Sequence, residues 1–163
     1  MRAYLVIFLL LFSGPAFSDN VKDISNKRLN EYFRSDLDYE AFFLNLKSSL
    51  LSGDKQEVAS LNLYPIRVNY PSGSVYYDTI EQFIENYDSI VTPEMLARVK
   101  EQQFKNLFYN YSGLNIGFGD IWFSGICMDG DLCKELKINV WAYSVLSVSN
   151  KRYNKRLWRQ SLN

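Results

Sequence analysis

The two cysteines of the chain, Cys127 and Cys133, lie six positions apart in the segment CMDGDLC. They could form a metal site, a redox pair or a structural disulfide. A metal site needs further thiolate or imidazole ligands, but the chain has no third cysteine and no histidine. A thioredoxin-type pair is separated by two residues, not five. Asp129 and Asp131 could contact calcium, but the longer run of acidic and glycine positions of an EF-hand loop is missing. We therefore expect a Cys127–Cys133 disulfide, with no metal and no cofactor.

The absence of histidine limits the acid–base chemistry of this chain. Histidine-dependent serine and cysteine hydrolases are excluded, so a catalytic base would be a carboxylate, a tyrosine or a lysine with a shifted pKa. Asp120 is the catalytic candidate, because strict alternation along LNIGFGDIWF places it on the same face as Leu114 and Trp122. Burial on such an apolar face would raise its pKa. A bulge at Gly117 or Gly119 would instead rotate Asp120 outward.

Aromatic side chains could complete a ligand pocket around this acid. Tyrosine hydroxyls that point into a pocket can polarise a substrate, as carbon-acid isomerases require. The alternative is that these tyrosines pack on a half-exposed sheet. The candidate pocket residues are Tyr64, Tyr77, Phe118, Asp120 and Trp122.

A second candidate site is a surface patch that would bind a partner. Trp122 and Trp141 have opposite parity, which predicts that they lie on opposite sheet faces. An exposed Trp141 beside Tyr143 would suit an interface centre, although packing under a helix is the alternative. The segment from 150 to 163 has five basic residues and no acid, so it could contact an anionic envelope surface or remain a solvated terminus. The patch comprises Trp141, Tyr143, Arg152, Lys155, Arg156, Trp158 and Arg159.

The first eighteen residues resemble a secretory signal peptide. Arg2 precedes an apolar run over residues 3–12, and Ala16 and Ser18 occupy the positions that signal peptidase requires to be small. We expect cleavage after Ser18 and a periplasmic or secreted protein. An exported protein meets oxidising conditions, which favours the disulfide. Residues 19–149 contain twelve basic and eighteen acidic residues. Nucleic acid is not expected as the partner of an exported protein.

The remaining sequence predicts one α+β domain over residues 37–149, preceded by a polar segment at 19–36. Apolar spacing predicts a helix over 37–52 that ends at Gly53, followed by shorter helices that begin after Asp54, Thr79 and Thr92. Residues 64–78 read as a pair of strands.

Two long runs of alternating apolar residues predict a C-terminal antiparallel hairpin. Most even-numbered positions are apolar from Leu114 to Ile126 and again from Leu132 to Val148. The two cysteines lie across the turn, so their disulfide would fix the strand register.

This order of helices and strands resembles the nuclear transport factor two-like superfamily over residues 37–148. The stretches that carry the resemblance are Phe42 with Phe43, SGDKQEVA, YPIRV, TIEQFIENYDSI and LFYNYSGLNIGFGDIWF. It implies a cone-like fold in which helices close a pocket formed by a curved antiparallel sheet. Some members of the superfamily are isomerases or dehydratases, and others bind without catalysis.

Together these features favour an exported, non-catalytic binding protein, such as an immunity or inhibitor-type protein that acts on a protein partner. One alternative is a small-molecule isomerase or dehydratase that uses Asp120. Another is an envelope-associated protein held by its basic tail. A homodimer is compatible with the sequence.

Overall fold

The structure is a computed structural model that describes residues 24–130 and 133–145. It confirms the α+β class: helices accompany one six-stranded sheet. The helices are α1 (Asn26–Phe33), α2 (Tyr39–Ser52), α3 (Lys55–Ser60), α4 (Ile80–Glu85), α5 (Tyr87–Ile90) and α6 (Pro93–Glu101), with a 3₁₀ turn at Phe104–Asn106. The strands are β1 (Asn62–Tyr70), β2 (Gly73–Tyr77), β3 (Phe108–Asn110), β4 (Gly113–Ile116), β5 (Ile121–Cys127) and β6 (Leu136–Ser144). The expected signal peptide and the tail from 150 lie outside the described residues.

Helices α3, α4 and α6 begin at the caps that the sequence predicts, whereas α2 begins at Tyr39 rather than at residue 37. The Asp38 carboxylate accepts a hydrogen bond from the backbone of Ala41 at the start of α2, which ends at Gly53 in the left-handed conformation. Asp54 and Thr79 cap α3 and α4 in the same way, and Thr92 caps α6. Each cap satisfies an N–H group that would otherwise lack an intrahelical partner.

The sheet is mixed, with the strand order β2-β1-β6-β5-β4-β3. Adjacent strands run antiparallel except β1 and β6, which run parallel. The expectation of a wholly antiparallel sheet was therefore wrong. The two predicted hairpins, β1–β2 and β5–β6, are antiparallel, but the meander from β3 to β6 brings β6 beside β1 in the same direction.

The core residues occupy even-numbered positions in β4 and odd-numbered positions in β5. Leu114 and Ile116 of β4 are buried in the core, as are Ile121 and Phe123 of β5. We call this the inner face, and the opposite face, which carries Trp122, the outer face. The prediction that even positions from Leu114 through Ile126 share one face was wrong, because the chain turns at residues 117–120 and begins a new strand.

A bulge in β6 reverses two further predictions. Trp122 pairs with Ala142 and Phe123 pairs with Val140, so Trp141 is an extra residue in β6. Trp141 consequently lies on the same face as Trp122, not on the opposite face. The bulge also turns Tyr143 into the core, where it is fully buried, so Tyr143 cannot belong to a surface patch.

Helices pack against the inner face through aromatic contacts. The Phe42 ring lies 5.3 Å from that of Phe123, and the Phe83 ring lies 5.4 Å from that of Tyr143. Leu29 of α1 is also buried in this core, as is Ile24. Part of the polar segment 19–36 therefore packs with the domain, and does not merely precede it.

The Cys127–Cys133 disulfide is present in the connection between β5 and β6, two interior strands of the sheet. Cys127 pairs with Leu136, the first residue of β6, so the disulfide closes the connection between the two strands. This confirms the predicted disulfide-linked hairpin. Within the described residues, no helix is both long enough and apolar enough to span a membrane.

Candidate functional site

Asp120 forms a buried ion pair with Arg98. The aspartate lies in the turn between β4 and β5 and is fully buried, whereas 17% of the Arg98 side chain is exposed. Two hydrogen bonds join them: Arg98 Nε donates to Oδ2 at 2.5 Å, and Nη2 donates to Oδ1 at 2.8 Å. Such bidentate, charge-assisted pairs are among the stronger polar contacts in proteins. The acid therefore has a cationic partner within the fold.

The glycine-containing turn fixes the carboxylate in this position. Gly117 has a left-handed φ of +71°, and a Cβ atom there would collide with the Asp120 carboxylate. The backbone N–H of Phe118 donates to Oδ2 at 3.3 Å. The backbone of Asp120 is also held, since its N–H donates to Ile116 and its carbonyl accepts from Ser144. The glycines do break the strand, but the carboxylate points inward rather than outward.

A cleft of about 360 Å³ opens beside this ion pair. It is lined by Ala97, Arg98, Glu101, Gln102, Gln103, Asn106, Gly117 and Phe118. The Phe118 ring lies 5.9 Å from the Arg98 guanidinium, and the Gln102 side chain accepts a hydrogen bond from the backbone of Gly117. The cleft could hold a small polar molecule. Asp120 already accepts three hydrogen bonds, so a substrate could use it as a base only after Arg98 moved away.

The predicted pocket tyrosines do not line this cleft and make their contacts elsewhere in the fold. The Tyr64 hydroxyl donates to the carbonyl of Ala59 at 3.0 Å, and burial raises the pKa of Tyr64. The Tyr77 hydroxyl lies 3.0 Å from that of Tyr70. Burial and the Tyr70 hydroxyl together raise the pKa of Tyr77 to about 12. Phe118 alone of the predicted set lines the cleft beside Arg98 and Asp120.

Two further tyrosines lie in the core. The Tyr143 hydroxyl donates to Asn62 Oδ1 at 2.9 Å, and burial raises the pKa of Tyr143 well above its usual value. The Tyr87 hydroxyl is buried without a hydrogen-bond partner, and burial raises its pKa to about 12, with smaller contributions from two nearby aspartates. Both tyrosines are neutral at physiological pH and contribute to core packing.

An aromatic cluster lies on the outer face of the sheet. The Trp122 and Trp141 rings are 5.8 Å apart, and the Phe108 ring meets Trp122 edge-on at 6.3 Å. We call these three residues the outer aromatic cluster. All three are half-buried. Strict alternation does not include Phe108 in this cluster and assigns the two tryptophans to opposite faces, because alternation does not reveal a β-bulge.

Three buried polar atoms on this face have no hydrogen-bond partner: Asn115 Nδ2, Asn139 Oδ1 and Trp141 Nε1. Asn115 lies opposite Trp122 in the strand register, and Asn139 lies opposite Ser124. In the described part of the chain, the one other atom of this kind is the Tyr87 hydroxyl. No group of the described protein satisfies these atoms, so a bound molecule or an ordered water would be their hydrogen-bond partner.

The remaining predicted site residues can be placed only in part. Arg152, Lys155, Arg156, Trp158 and Arg159 lie outside the described residues. Among the residues that the structure covers, no group of three or more cysteine, aspartate or glutamate side chains is arranged to hold a metal ion. No protein-family model, curated protein or solved structure matches this chain.

Proposed function

We propose that this chain is an exported, non-catalytic binding protein whose outer sheet face binds a protein partner, in the manner of an immunity or inhibitor-type protein. The observation that carries the proposal is the outer aromatic cluster with its three unpaired polar atoms. The chain would then act by occupying a surface of its partner.

The composition of the outer face supports a protein partner. Tryptophan is strongly enriched among the residues that dominate binding energy at protein interfaces, and Trp122 and Trp141 are adjacent here. A partner's backbone carbonyls could accept hydrogen bonds from the Asn115 amide and the Trp141 indole. Access to these buried atoms requires the rings to change rotamer, and such changes are common at interfaces.

The contacts of Asp120 argue against catalysis. A general base must be able to take a proton from the substrate, but both carboxylate oxygens of Asp120 already accept hydrogen bonds, two of them from Arg98. The pair instead joins α6 to the β4–β5 turn. We assign Arg98 and Asp120 a structural role in this proposal.

The proposed export rests on the N-terminal sequence and the disulfide. The segment that ends at Ser18 has the features of a cleavable signal, and disulfides persist mainly in oxidising compartments. A periplasmic or secreted location would also place the partner outside the cytoplasm. Membership of the nuclear transport factor two-like superfamily remains part of the proposal, supported by helices that pack on one face of a mixed sheet.

A second candidate function is favoured by the cleft beside a buried carboxylate. A small polar ligand could bind there, and an isomerase or dehydratase would use Asp120 after displacing Arg98. Binding at this site would depend on Arg98 and not on the outer aromatic cluster. Envelope association through the tail is the third alternative, and it predicts that deletion of residues 150–163 abolishes binding to anionic liposomes.

The proposal can be tested by capturing partners from a periplasmic extract of the producing cell on the immobilised oxidised protein. The wild type is compared with Trp122→Ala and with Leu44→Ala, a matched control because Leu44 is exposed on α2. We expect one protein to be retained by the wild type and the control and lost from Trp122→Ala, with circular dichroism verifying that each variant is folded. Retention of no protein, or equal retention by both variants, would contradict the proposal.

A further inference from the structure

The edge strand β2 itself contains no charge, proline or bulge of the kind that commonly protects an edge from pairing with another strand. It is the outermost strand of the sheet at the β1 side, and its five register pairs with β1 run without interruption. Natural edges commonly carry charges, bulges or other features that prevent pairing. The strand sequence GSVYY contains no charged residue, and Val75 and Tyr76 are 43% and 57% exposed.

The hairpin register identifies which backbone groups of β2 point away from the sheet. Tyr70 and Gly73 form the closing pair across the two-residue connection between β1 and β2. The closing pair of a two-residue hairpin is hydrogen-bonded, and antiparallel bonds recur at every second pair. Val75 therefore bonds toward β1, whereas Ser74 and Tyr76 direct their N–H and C=O groups to the open edge.

We infer that β2 pairs with β2 of a second copy of this chain, in an antiparallel register centred on Val75. In this register Ser74 of each copy faces Tyr76 of the other, so the four outward backbone groups of each strand are matched. The two Val75 residues meet at a non-hydrogen-bonded position, where strands bring side chains closest together. A two-fold axis relates the two copies, as in most homodimers.

The charges next to β2 are compatible with this self-pairing. Asp78 follows the strand directly, and in the inferred register it lies opposite Ser72 of the second copy rather than opposite the other Asp78. The two Asp78 carboxylates therefore do not face each other across the contact, and the Arg67 guanidinium, which donates to the Ser74 hydroxyl, is a further charge beside this edge. Exposed Ile80 adds apolar surface close to the strand. Five residues from each copy form a small interface, so the dimer is weak and depends on concentration.

This inference is independent of the proposed function, because it uses the sheet edge and leaves the outer aromatic cluster uncovered. Pairing would join two six-stranded sheets into one continuous sheet and present two copies of the outer face together. A partner with two equivalent sites would then bind more tightly than a partner with one.

Cysteine cross-linking and sedimentation test the pairing. Cys127 and Cys133 are already joined, so a substituted cysteine supplies a free thiol. Under mild oxidation Val75→Cys should give a covalent dimer rapidly, because the two residues face each other. Leu44→Cys, whose residue is 55% exposed on α2, should stay largely monomeric. Equal cross-linking of the two variants would overturn the inference.

Sedimentation velocity of the oxidised protein provides a second, non-covalent measurement. The wild type and Leu44→Lys should shift toward dimer mass as concentration rises, whereas Val75→Lys should remain monomeric, because two lysines would meet at the centre of the contact. Both substitutions replace exposed apolar residues, so neither is expected to unfold the chain. A wild type that stays monomeric at millimolar concentration, or a Val75→Lys variant that dimerises as the wild type does, would contradict the pairing.

Discussion

Arg98 and Asp120 connect α6 to the β4–β5 turn through two parallel hydrogen bonds, and the carboxylate is fully buried. The glycine at 117 leaves room for this carboxylate, because any side chain there would collide with it. The pair therefore connects the helices to the β4–β5 turn, where core residues change from even-numbered to odd-numbered positions.

Replacement of Arg98 should show that this connection stabilises the fold. Arg98→Met removes the cation but keeps much of the side-chain volume, leaving a buried carboxylate with one backbone donor. Breaking a buried ion pair in this way is strongly destabilising, and we expect a loss of about 3 kcal/mol in the free energy of unfolding. Urea denaturation measures it. A loss below about 1 kcal/mol, the value typical of exposed pairs, would mean that the pair contributes little.

Alanine substitution at two glycines with nearly equal φ angles distinguishes the cost of backbone strain from the cost of a side-chain collision. Gly53 has φ +74° and open space around it, whereas Gly117 has φ +71° and the Asp120 carboxylate against it. Gly53→Ala should cost about 1 kcal/mol from its left-handed conformation. Gly117→Ala should cost about 2 kcal/mol more, because the added methyl group displaces the carboxylate. Equal losses in thermal or urea denaturation would show that the turn can relax around the methyl group.

The two core tyrosines should respond in opposite ways to removal of their hydroxyl groups. Tyr143 donates to Asn62, so Tyr143→Phe should lower the free energy of unfolding by about 1–2 kcal/mol and leave Asn62 without that donor. The Tyr87 hydroxyl has no partner, so Tyr87→Phe should be neutral or stabilise by up to about 1 kcal/mol. Urea denaturation at neutral pH compares them. A larger loss for Tyr87→Phe than for Tyr143→Phe would be inconsistent with the contacts described.

Stability should fall above pH 10 because of these tyrosines. An unfolded tyrosine titrates near pH 10, whereas burial raises the pKa of folded Tyr87 to about 12 and that of Tyr143 well above its usual value. The folded state thus retains protons that the unfolded state loses, so the stabilisation present below pH 10 declines as pH rises toward 12. Each tyrosine adds a slope of up to about 1.4 kcal/mol per pH unit. Tyr87→Phe should reduce this slope, and an unchanged slope would contradict the assignment.

Loss of the disulfide should weaken the domain without changing its fold. The cross-link closes a seven-residue segment, which corresponds to about 2 kcal/mol of chain entropy in the unfolded state. Replacing both Cys127 and Cys133 with serine should lower the free energy of unfolding by that amount and leave the far-ultraviolet circular dichroism spectrum unchanged. No change in stability would indicate that the hairpin is equally restricted without the cross-link.

The sequence predicted the structural features that are determined by residues close together in the chain. The caps at Asp54, Thr79 and Thr92 and the left-handed Gly53 are local chemistry, and each appears where its residue type indicated. The disulfide followed from the two cysteines and their spacing across a turn.

What the sequence could not predict depends on distant contacts or on single inserted residues. Nothing local marks Arg98 as the partner of Asp120, because the two meet only after α6 packs near the β4–β5 turn. The bulge at Trp141 reverses the orientation of Tyr143. A single inserted residue of this kind leaves no distinct mark in the composition or the apolar periodicity of the strand. The outer aromatic cluster was missed for the same reason.

Photo-cross-linking in the producing cell shows whether the outer face contacts an exported protein partner. A photoreactive phenylalanine analogue replaces Ser124, which is half-buried on the outer face two residues after Trp122, and Leu44 serves as the control site. We expect one discrete adduct with an exported protein from position 124, formed on the disulfide-bonded chain, and none from position 44. No adduct at position 124, or adducts confined to cytosolic proteins, would contradict the proposed function.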